Sequence, residues 1–167
     1  MNYRMSAAEQ TMELVETTDI QMFLPVMKEI DFGDRFLLSM LHWCGIGRRS
    51  TPLDYWKVFL LRAAGDVAGV SGLYRQPGMA ETVLWVGWFG IRPRFRRQGF
   101  GTGAMHALIE FAQSLDCKEL CVYTGSSDHV AVGFYRSLGF ELLGTAADWA
   151  SGRTMDDSDI VLRRTLS

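Results

Sequence analysis

The segment with the clearest chemical signal is residues 91–104, which reads IRPRFRRQGFGTGA. Four arginines are followed by three alternating glycines, Gly99, Gly101 and Gly103. Glycines let the backbone approach an anion closely, and the first amides of a helix have no helical partner and favour negative charge. Arginine suits phosphate because its guanidinium offers a planar fork of donors. The segment therefore predicts a phosphate-binding turn, with Arg96 and Arg97 beside it.

Two familiar phosphate-binding patterns fit this segment poorly. A P-loop needs Lys and then Ser or Thr directly after its last glycine, whereas Ala104 and Met105 follow here. A dinucleotide fingerprint needs Gly-x-Gly-x-x-Gly after the first strand of a βαβ unit, but here the third glycine comes one residue early and other strand-like segments precede it. The glycines alone also allow a flexible turn beside a solvated basic patch.

A second motif lies downstream. Ser126, Ser127 and Asp128 offer helix-capping side chains. They precede apolar residues at helical spacing, which are Ala131, Phe134, Tyr135 and Leu138, and then Gly139 and Phe140. The spacing predicts a capped helix that stops at the glycine.

The elements around these motifs alternate between helical and strand-like periods. Helices are predicted over 20–30, capped by Thr17, Thr18 or Asp19, and over 36–43, and a third carries the stripe Ala104, Leu108, Phe111 and Leu115. Strands are predicted over 12–15, 56–63, 67–74, 82–91, 120–124, 140–143 and 160–162, with 48–51 an exposed connection. Short turns make the middle three strands an antiparallel meander, whereas the helical return to 120–124 implies a parallel pair. The fold class is therefore α/β or α+β with a largely antiparallel sheet.

In this order the motifs resemble the GCN5-related N-acetyltransferase (GNAT) superfamily. The resemblance rests on Arg96-Arg97-Gln98-Gly99-Phe100-Gly101 and on Ala131 to Phe140, and it covers residues 82–143. It implies a mixed, mostly antiparallel sheet of about seven strands with a parallel central pair, flanked by about four helices. Residues 1–167 would then form a single domain.

The resemblance also implies acetyl-CoA as cosubstrate, no metal, and a role for each matching residue. The strand end should contact the pantetheine arm and the thioester through Phe89, Gly90 and Ile91. The pyrophosphate should be held by Arg96, Arg97, Gln98, Gly99, Phe100, Gly101, Thr102 and Gly103. Tyr135 matches a tyrosine that protonates the departing thiolate in many members. Asp128 stands where many members carry an Asn that contacts the cofactor, and a helix cap is the alternative role.

The implied function is acetyl transfer to a primary amine of a small molecule or peptide, by direct attack in a ternary complex. The alternative is a non-catalytic acyl-CoA-binding regulatory module. A protonated amine must lose a proton before it attacks. We assign no base, because the acidic residues and histidines considered for this role stand at positions typical of capping, turn or surface residues: Asp31, Asp34, His42, Glu81, His106 and His129. We therefore expect a water relay to carry the proton.

The acceptor has two candidate signals. Six aromatic residues suggest either an aromatic acceptor pocket or core packing. They are Phe32, Phe36, Trp43, Trp56, Trp85 and Trp88. The acidic group Asp156, Asp157 and Asp159 is typical of a solvated loop, although it could attract a cation.

Composition limits the remaining classes. The chain has 167 residues, 48% hydrophobic and 22% charged, with a net charge of −2, which excludes a disordered tail and gives no bulk reason to bind nucleic acid or a membrane. Cys44, Cys117 and Cys121 are expected to be buried, inert thiols. Residues 1–12 hold no apolar signal-peptide region, so we expect a cytoplasmic protein. A homodimer is compatible with the resemblance, and no sequence feature decides it.

Overall fold

The computed structural model describes residues 12–30, 32–47, 52–145 and 159–167. Its strands are β1 (Glu13–Glu16), β2 (Tyr55–Ala63), β3 (Asp66–Arg75), β4 (Val83–Ile91), β5 (Glu119–Gly125), β6 (Glu141–Thr145) and β7 (Asp159–Thr165). Its helices are α1 (Ile20–Ile30), α2 (Asp34–Trp43), α3 (Phe100–Ser114) and α4 (His129–Ser137), with a 3-10 turn at Pro93–Phe95.

The strands form one sheet in the order β1-β2-β3-β4-β5-β7-β6. Every neighbouring pair is antiparallel except β4 and β5, which are parallel and joined through α3. The predicted meander of β2, β3 and β4 and the predicted parallel pair are both confirmed. The fold class is therefore the expected mixed sheet with helices on its faces.

The parallel pair is short. Its register joins Val83–Trp85 to Glu119–Cys121 and goes no further, although β4 continues to Ile91 and β5 to Gly125. Because β4 stays paired with β3 as far as Ile91, it keeps its place while β5 diverges. The sheet therefore opens into a split between the carboxyl ends of β4 and β5.

A β-bulge lies on β4 beside this split. Gly87 pairs with Gly72 and Gly90 with Val70, so two residues of β4 stand opposite Ser71 alone. One of the two, Trp88, has a φ of 53°, which is uncommon for a residue with a side chain. The bulge lets Trp88 pack against the α1–α2 side of the sheet, while Phe89 packs against the opposite side.

Two hydrophobic cores lie on the two faces of the sheet. One is covered by α3 and α4 and includes Met105, Leu108, Tyr135 and Phe140. The other is covered by α1 and α2 and includes Phe23, Phe36, Met40 and Trp43. The helices therefore divide into an N-terminal pair on one face and a later pair, which includes the helix that follows the glycine-rich turn, on the other.

The N-terminal pair is fixed to the sheet by a ring that fills a notch between glycines. A Cβ built on Gly72 would stand 1.7 Å from the ring of Trp43, and one on Gly87 would stand 2.8 Å from it. Trp43 also contacts Tyr74, at 5.8 Å between ring centroids. These glycines are required by close packing.

Several local predictions differ from the structure. The predicted helical stripe is wrong at its last residue, Leu115: α3 ends at Ser114, and Leu115 is 43% exposed. Asp116, which follows it, turns the chain with a φ of 59°. The first strand begins one residue later than predicted, at Glu13. Asp19 is the residue that caps α1, since its carboxylate accepts from the Gln21 amide at 3.0 Å.

The predicted burial of the cysteines is confirmed at two positions. Cys117 and Cys121 are buried, and burial raises the pKa of both thiols, whereas Cys44 is half-buried. The predicted connection 48–51, together with Asp31, Asp156 and Asp157, lies outside the described residues.

Gly72→Ala should destabilise the fold because the new methyl group would meet the rigid ring of Trp43. We expect the free energy of unfolding in urea to fall by about 2–3 kcal/mol, as in other overpacked cores. Gly133→Ala is the matched control: Gly133 lies within α4 with no atom within 4 Å of its built Cβ, so the same change should stabilise by about 0.5–1 kcal/mol. Equal changes in the free energy of unfolding for the two substitutions would contradict the close packing of Trp43 against Gly72.

Candidate functional site

A cavity of about 820 Å³ lies at the carboxyl end of β4, between α3 and α4. It is lined by Phe32, Phe89, Gly90, Ile91, Arg96, Arg97, Gly99, Gly101, Thr102, Asp128, Val130, Ala131, Gly133, Phe134, Tyr135 and Ser137. Phe32 belongs to the connection between α1 and α2, whereas Phe134 and Tyr135 belong to α4. The cavity is therefore lined by residues from both faces of the sheet.

One wall is the start of α3. Gly99 is the N-cap with a φ of 86°, and nothing lies within 4 Å of a Cβ built on it. The first helical bond here runs from the Gly103 amide to the Gly99 carbonyl, at 3.0 Å. The amides of the three residues in between precede that bond, so they are the unpaired donors that a helix start offers to an anion.

Two arginines stand beside this helix start. Arg96 and Arg97 are exposed and line the cavity. The Arg96 Nε donates to the carbonyl of Ile91 at 2.8 Å, which ties the turn to the end of β4. Two guanidinium groups and a helix N-terminus make this wall the electropositive part of the cavity.

A third arginine of the motif has a structural role. Arg92 forms a two-pronged ion pair with Glu29 of α1, with the Nε donating to Oε2 at 2.8 Å, and its Nη1 donates to the Val67 carbonyl at 2.9 Å. The hydrogen bond from Arg92 holds the pKa of the Glu29 carboxyl below its ordinary value. Arg92 therefore anchors α1 to the end of β4.

Tyr135 lies on the opposite wall. It is 6% exposed and packs edge-on against Phe134 and Phe140, at 5.3 and 5.6 Å between centroids. Burial, followed by the negative charge of Asp128, raises the pKa of its phenol, so the hydroxyl keeps its proton well into the alkaline range. Chemically, it is a buried proton donor.

Asp128 is the N-cap of α4, because its Oδ1 accepts from the Ala131 amide at 3.0 Å. The predicted capping role is confirmed, and the residue also lines the cavity. The rings of Phe89 and Phe134 stack at 5.6 Å between centroids and 20° between planes, which joins β4 to α4 across the cavity.

The structure brings most of the predicted site residues to this one cavity. The remainder do not line it: Gln98, Phe100 and Gly103. The Gln98 side chain donates to the Arg94 carbonyl at 2.8 Å, and the Phe100 ring packs against Phe95 at 5.4 Å between centroids. The Gly103 amide is already paired, so the donors narrow to the amides ahead of it.

Other lining residues were not assigned to the site from the sequence, among them Val130, Gly133 and Phe134. The α4 spacing places Phe134 beside Tyr135 and was the signal that could have found it. The candidate bases within the described part, which are Asp34, His42, Glu81, His106 and His129, do not line the cavity. No group of three or more His, Cys, Asp or Glu side chains in the described part is placed to hold a metal ion.

Comparison with known proteins gives a consistent result. The model of the Acetyltransferase (GNAT) family matches residues 23–140. No curated protein sequence matches the chain significantly. Structural similarity extends to the ribosomal-protein-S18-alanine N-acetyltransferase from Escherichia coli, with 18% identity, a TM-score of 0.67, and coverage of 95% of this chain and 94% of that one.

Two further solved structures carry the cofactor. The Bacillus subtilis acetyltransferase in complex with CoA and a GNAT family acetyltransferase from Elizabethkingia anophelis with acetyl-CoA bound each show 16% identity and a TM-score of 0.65. In both cases the match covers 95% of this chain and 99% of the other. At this identity the likeness establishes the shared fold.

Glu29→Gln should lower the free energy of unfolding at pH 7, because it removes the charge that Arg92 pairs with. The pKa of Glu29 is depressed in the folded chain, so its contribution is present above the unfolded value of about 4.3 and is lost as the pH falls through the folded value. In urea titrations the difference in the free energy of unfolding between wild type and variant should therefore decrease below about pH 4.

Glu13→Gln is the control for this measurement, since Glu13 is exposed on β1 and lies 4.0 Å from Arg62. We expect a smaller effect from it at pH 7, as is usual for a solvent-exposed pair. A gap between wild type and Glu29→Gln that stays constant down to pH 3 would contradict the ion pair as its source.

Proposed function

The chain belongs to the GNAT family of acetyltransferases, and from this premise we propose that it transfers an acetyl group from acetyl-CoA to a primary amine of a small molecule or peptide. The amine attacks directly while both substrates are bound. The observation that carries the proposal is the shared cavity: an open helix N-terminus flanked by arginines, the end of β4 and a buried phenol all line the same space.

Acetyl-CoA fits the donors on these walls. The amides of Phe100 to Thr102, with Arg96 and Arg97, would hold the pyrophosphate, because a diphosphate needs several donors and positive charge at short range. The free edge of β4 at Phe89–Ile91 would hold the pantetheine arm through backbone groups that β5 no longer pairs. The CoA and acetyl-CoA bound to the Bacillus and Elizabethkingia proteins support this choice of cosubstrate.

The chemistry requires one bond to form and one to break. The amine nitrogen bonds to the acyl carbon, the carbon–sulfur bond breaks, the nitrogen gives up a proton and the thiolate gains one. A β4 amide facing the split would stabilise the negative charge that develops on the acyl oxygen, a contribution of about 3 kcal/mol for one well-placed donor. Tyr135 would supply the proton to sulfur, since its raised pKa keeps the phenol in the acid form.

The amine must be deprotonated before it attacks. Asp128 is the one acidic residue among the described lining residues, and one of its oxygens is used to cap α4. We therefore propose that water in the cavity carries the amine proton to solvent.

A second candidate is a non-catalytic module that binds acyl-CoA. The specific observation in its favour is that the cavity offers no lining His or Glu, within the described residues, to act as a base. A regulatory module would bind acetyl-CoA and release no CoA with any amine.

The domain and partner proposals follow from the same fold. The described strands form one sheet, which supports a single domain over 1–167. The described helices are too short or too polar to cross a membrane. A cytoplasmic location, the absence of a nucleic-acid partner and a homodimer remain proposals.

The direct test is release of free CoA thiol from acetyl-CoA in the presence of a panel of primary amines and peptides, with mass spectrometry of the products. We expect amine-dependent release and an amide product for at least one acceptor. Acetyl-CoA binding by calorimetry with no release across the panel would favour the regulatory module. No binding of acetyl-CoA at all would overturn both candidates.

Tyr135→Phe should lower kcat about tenfold and leave the KM for acetyl-CoA unchanged, because it removes a proton donor that an alkyl thiolate, with a pKa near 8.5, needs only in part. The wild-type rate should not fall up to about pH 10 through ionisation of this phenol, since burial raises its pKa.

Tyr55→Phe is the matched control for this substitution. Tyr55 lies at the far end of the sheet on β2, and its buried hydroxyl has no hydrogen-bond partner among the described residues. We expect kcat to be unchanged in this variant. An equal loss of kcat in both variants would show that the effect of removing the Tyr135 hydroxyl is structural.

A further inference from the structure

Phe32 is an exposed aromatic residue that lies at the carboxyl end of β4. It is 39% exposed and lines the cavity. Its ring lies over Gly90, so closely that a Cβ on Gly90 would be 2.6 Å from two of its carbons. Because Gly90 belongs to the strand end proposed to hold the thioester, the ring borders the position where the acyl group reacts.

Phe32 approaches this position from the side opposite the proposed cofactor contacts. Gly90 meets Phe32 and Ile30 on the face covered by α1 and α2, whereas Phe89 stacks on Phe134 on the face covered by α3 and α4. A second substrate entering past Phe32 would thus reach the split without crossing the phosphate-binding turn.

The exposed ring is held in place by two others. Phe32 lies edge-on to Phe36, at 4.8 Å between centroids, and 6.0 Å from Trp88, while Phe36 and Trp88 are 5.1 Å apart. Phe36 is fully buried, and Trp88 is fixed by the bulge. We call Phe32, Phe36 and Trp88 the aromatic wall. Its exposed edge is therefore a preorganised surface.

The anchor of α1 adds to this rigidity. Glu29 lies three residues before Phe32 and is paired to Arg92, which directly follows β4. The helix end that leads to Phe32 is thus fastened to the strand end that Phe32 covers. An ion pair and two aromatic contacts act on the same short segment.

The charges around the cavity restrict what the aromatic wall can bind. Among the described lining residues Asp128 is the one acid and caps α4, while Arg96 and Arg97 are both cationic. A polyamine would find no second carboxylate there for its second ammonium group. A monoamine on a flat apolar body would match the rings, which offer stacking and edge contacts to that body.

Building on the proposed function, we propose that the aromatic wall is the acceptor site and that it selects arylalkyl monoamines. Phe32 is its specificity-determining residue, because it is the member of the wall that both lines the cavity and covers Gly90. The wall contributes contact area for the body of the acceptor while the amine nitrogen points into the split.

The experiment compares benzylamine with ethanolamine, two primary monoamines that differ in the aromatic body, and includes putrescine as a dication. Steady-state kinetics with saturating acetyl-CoA would be measured for wild type, Phe32→Ala, Phe32→Leu and Leu38→Ala. Leu38 is the control, since it is 55% exposed on α2 and does not line the cavity. Thermal melts check that each variant is folded.

We expect wild type to favour benzylamine over both other amines by at least about tenfold in kcat/KM. Phe32→Ala should lower kcat/KM about tenfold for benzylamine and less than about twofold for ethanolamine. Phe32→Leu should restore part of the kcat/KM for benzylamine. Leu38→Ala should leave kcat/KM unchanged for both amines. The KM for acetyl-CoA should stay the same. A wild-type preference for ethanolamine or putrescine, an equal loss for all amines, or a raised KM for acetyl-CoA in Phe32→Ala would overturn the inference.

Binding separates this inference from the proposed function. Calorimetric titration of benzylamine into CoA-saturated protein tests the wall without any turnover. Benzylamine binding that is lost in Phe32→Ala, with no acetylation of any amine, would support the wall and overturn the transferase. Acetylation of other amines with no benzylamine binding would support the transferase and overturn the wall.

Discussion

The early end of the pairing between β4 and β5 is the constraint on which the rest of the site depends. Within a sheet, each backbone N–H and C=O is used by a neighbouring strand. Beyond Trp85 the edge of β4 that faces β5 is released, while β3 continues to hold the other edge as far as Ile91. The result is a rigid strand with one free edge, and all the walls of the cavity are arranged around it.

The layer formed by α1 and α2 meets this strand through contacts that only glycine permits. Trp43 fills the notch at Gly72 and Gly87, and Phe32 rests on Gly90, so α1 and α2 lie against the strand with their rings in direct contact with its backbone. On the opposite face the stack of Phe89 on Phe134 holds α4. Aromatic packing on both faces thus defines the width of the space between them.

The part of the site that sequence reasoning could predict is the part encoded by short-range pattern. The glycine turn with α3 occupies one short segment, and the Asp128 cap with the Tyr135 face of α4 occupies another, so periodicity and capping rules suffice for each. The sheet class followed for the same reason, because a helix between two strands implies a parallel pair.

What the sequence did not reveal depends on distant partners. Arg92 and Arg96 have the same chemistry and lie four residues apart, yet Arg92 is bound to Glu29, which is remote in sequence, and Arg96 faces the cavity. Trp88 reads as one more apolar strand residue, and its bulge is visible only in the register with β3. Leu115 continues a helical stripe that a left-handed turn at Asp116 cuts short.

The last strand in the chain, β7, is inserted between β5 and β6, and Glu119 is paired with Thr165. During synthesis the edge of β5 that pairs with β7 therefore stays unpaired until β7 has left the ribosome, and an unpaired strand edge can pair with a wrong neighbour.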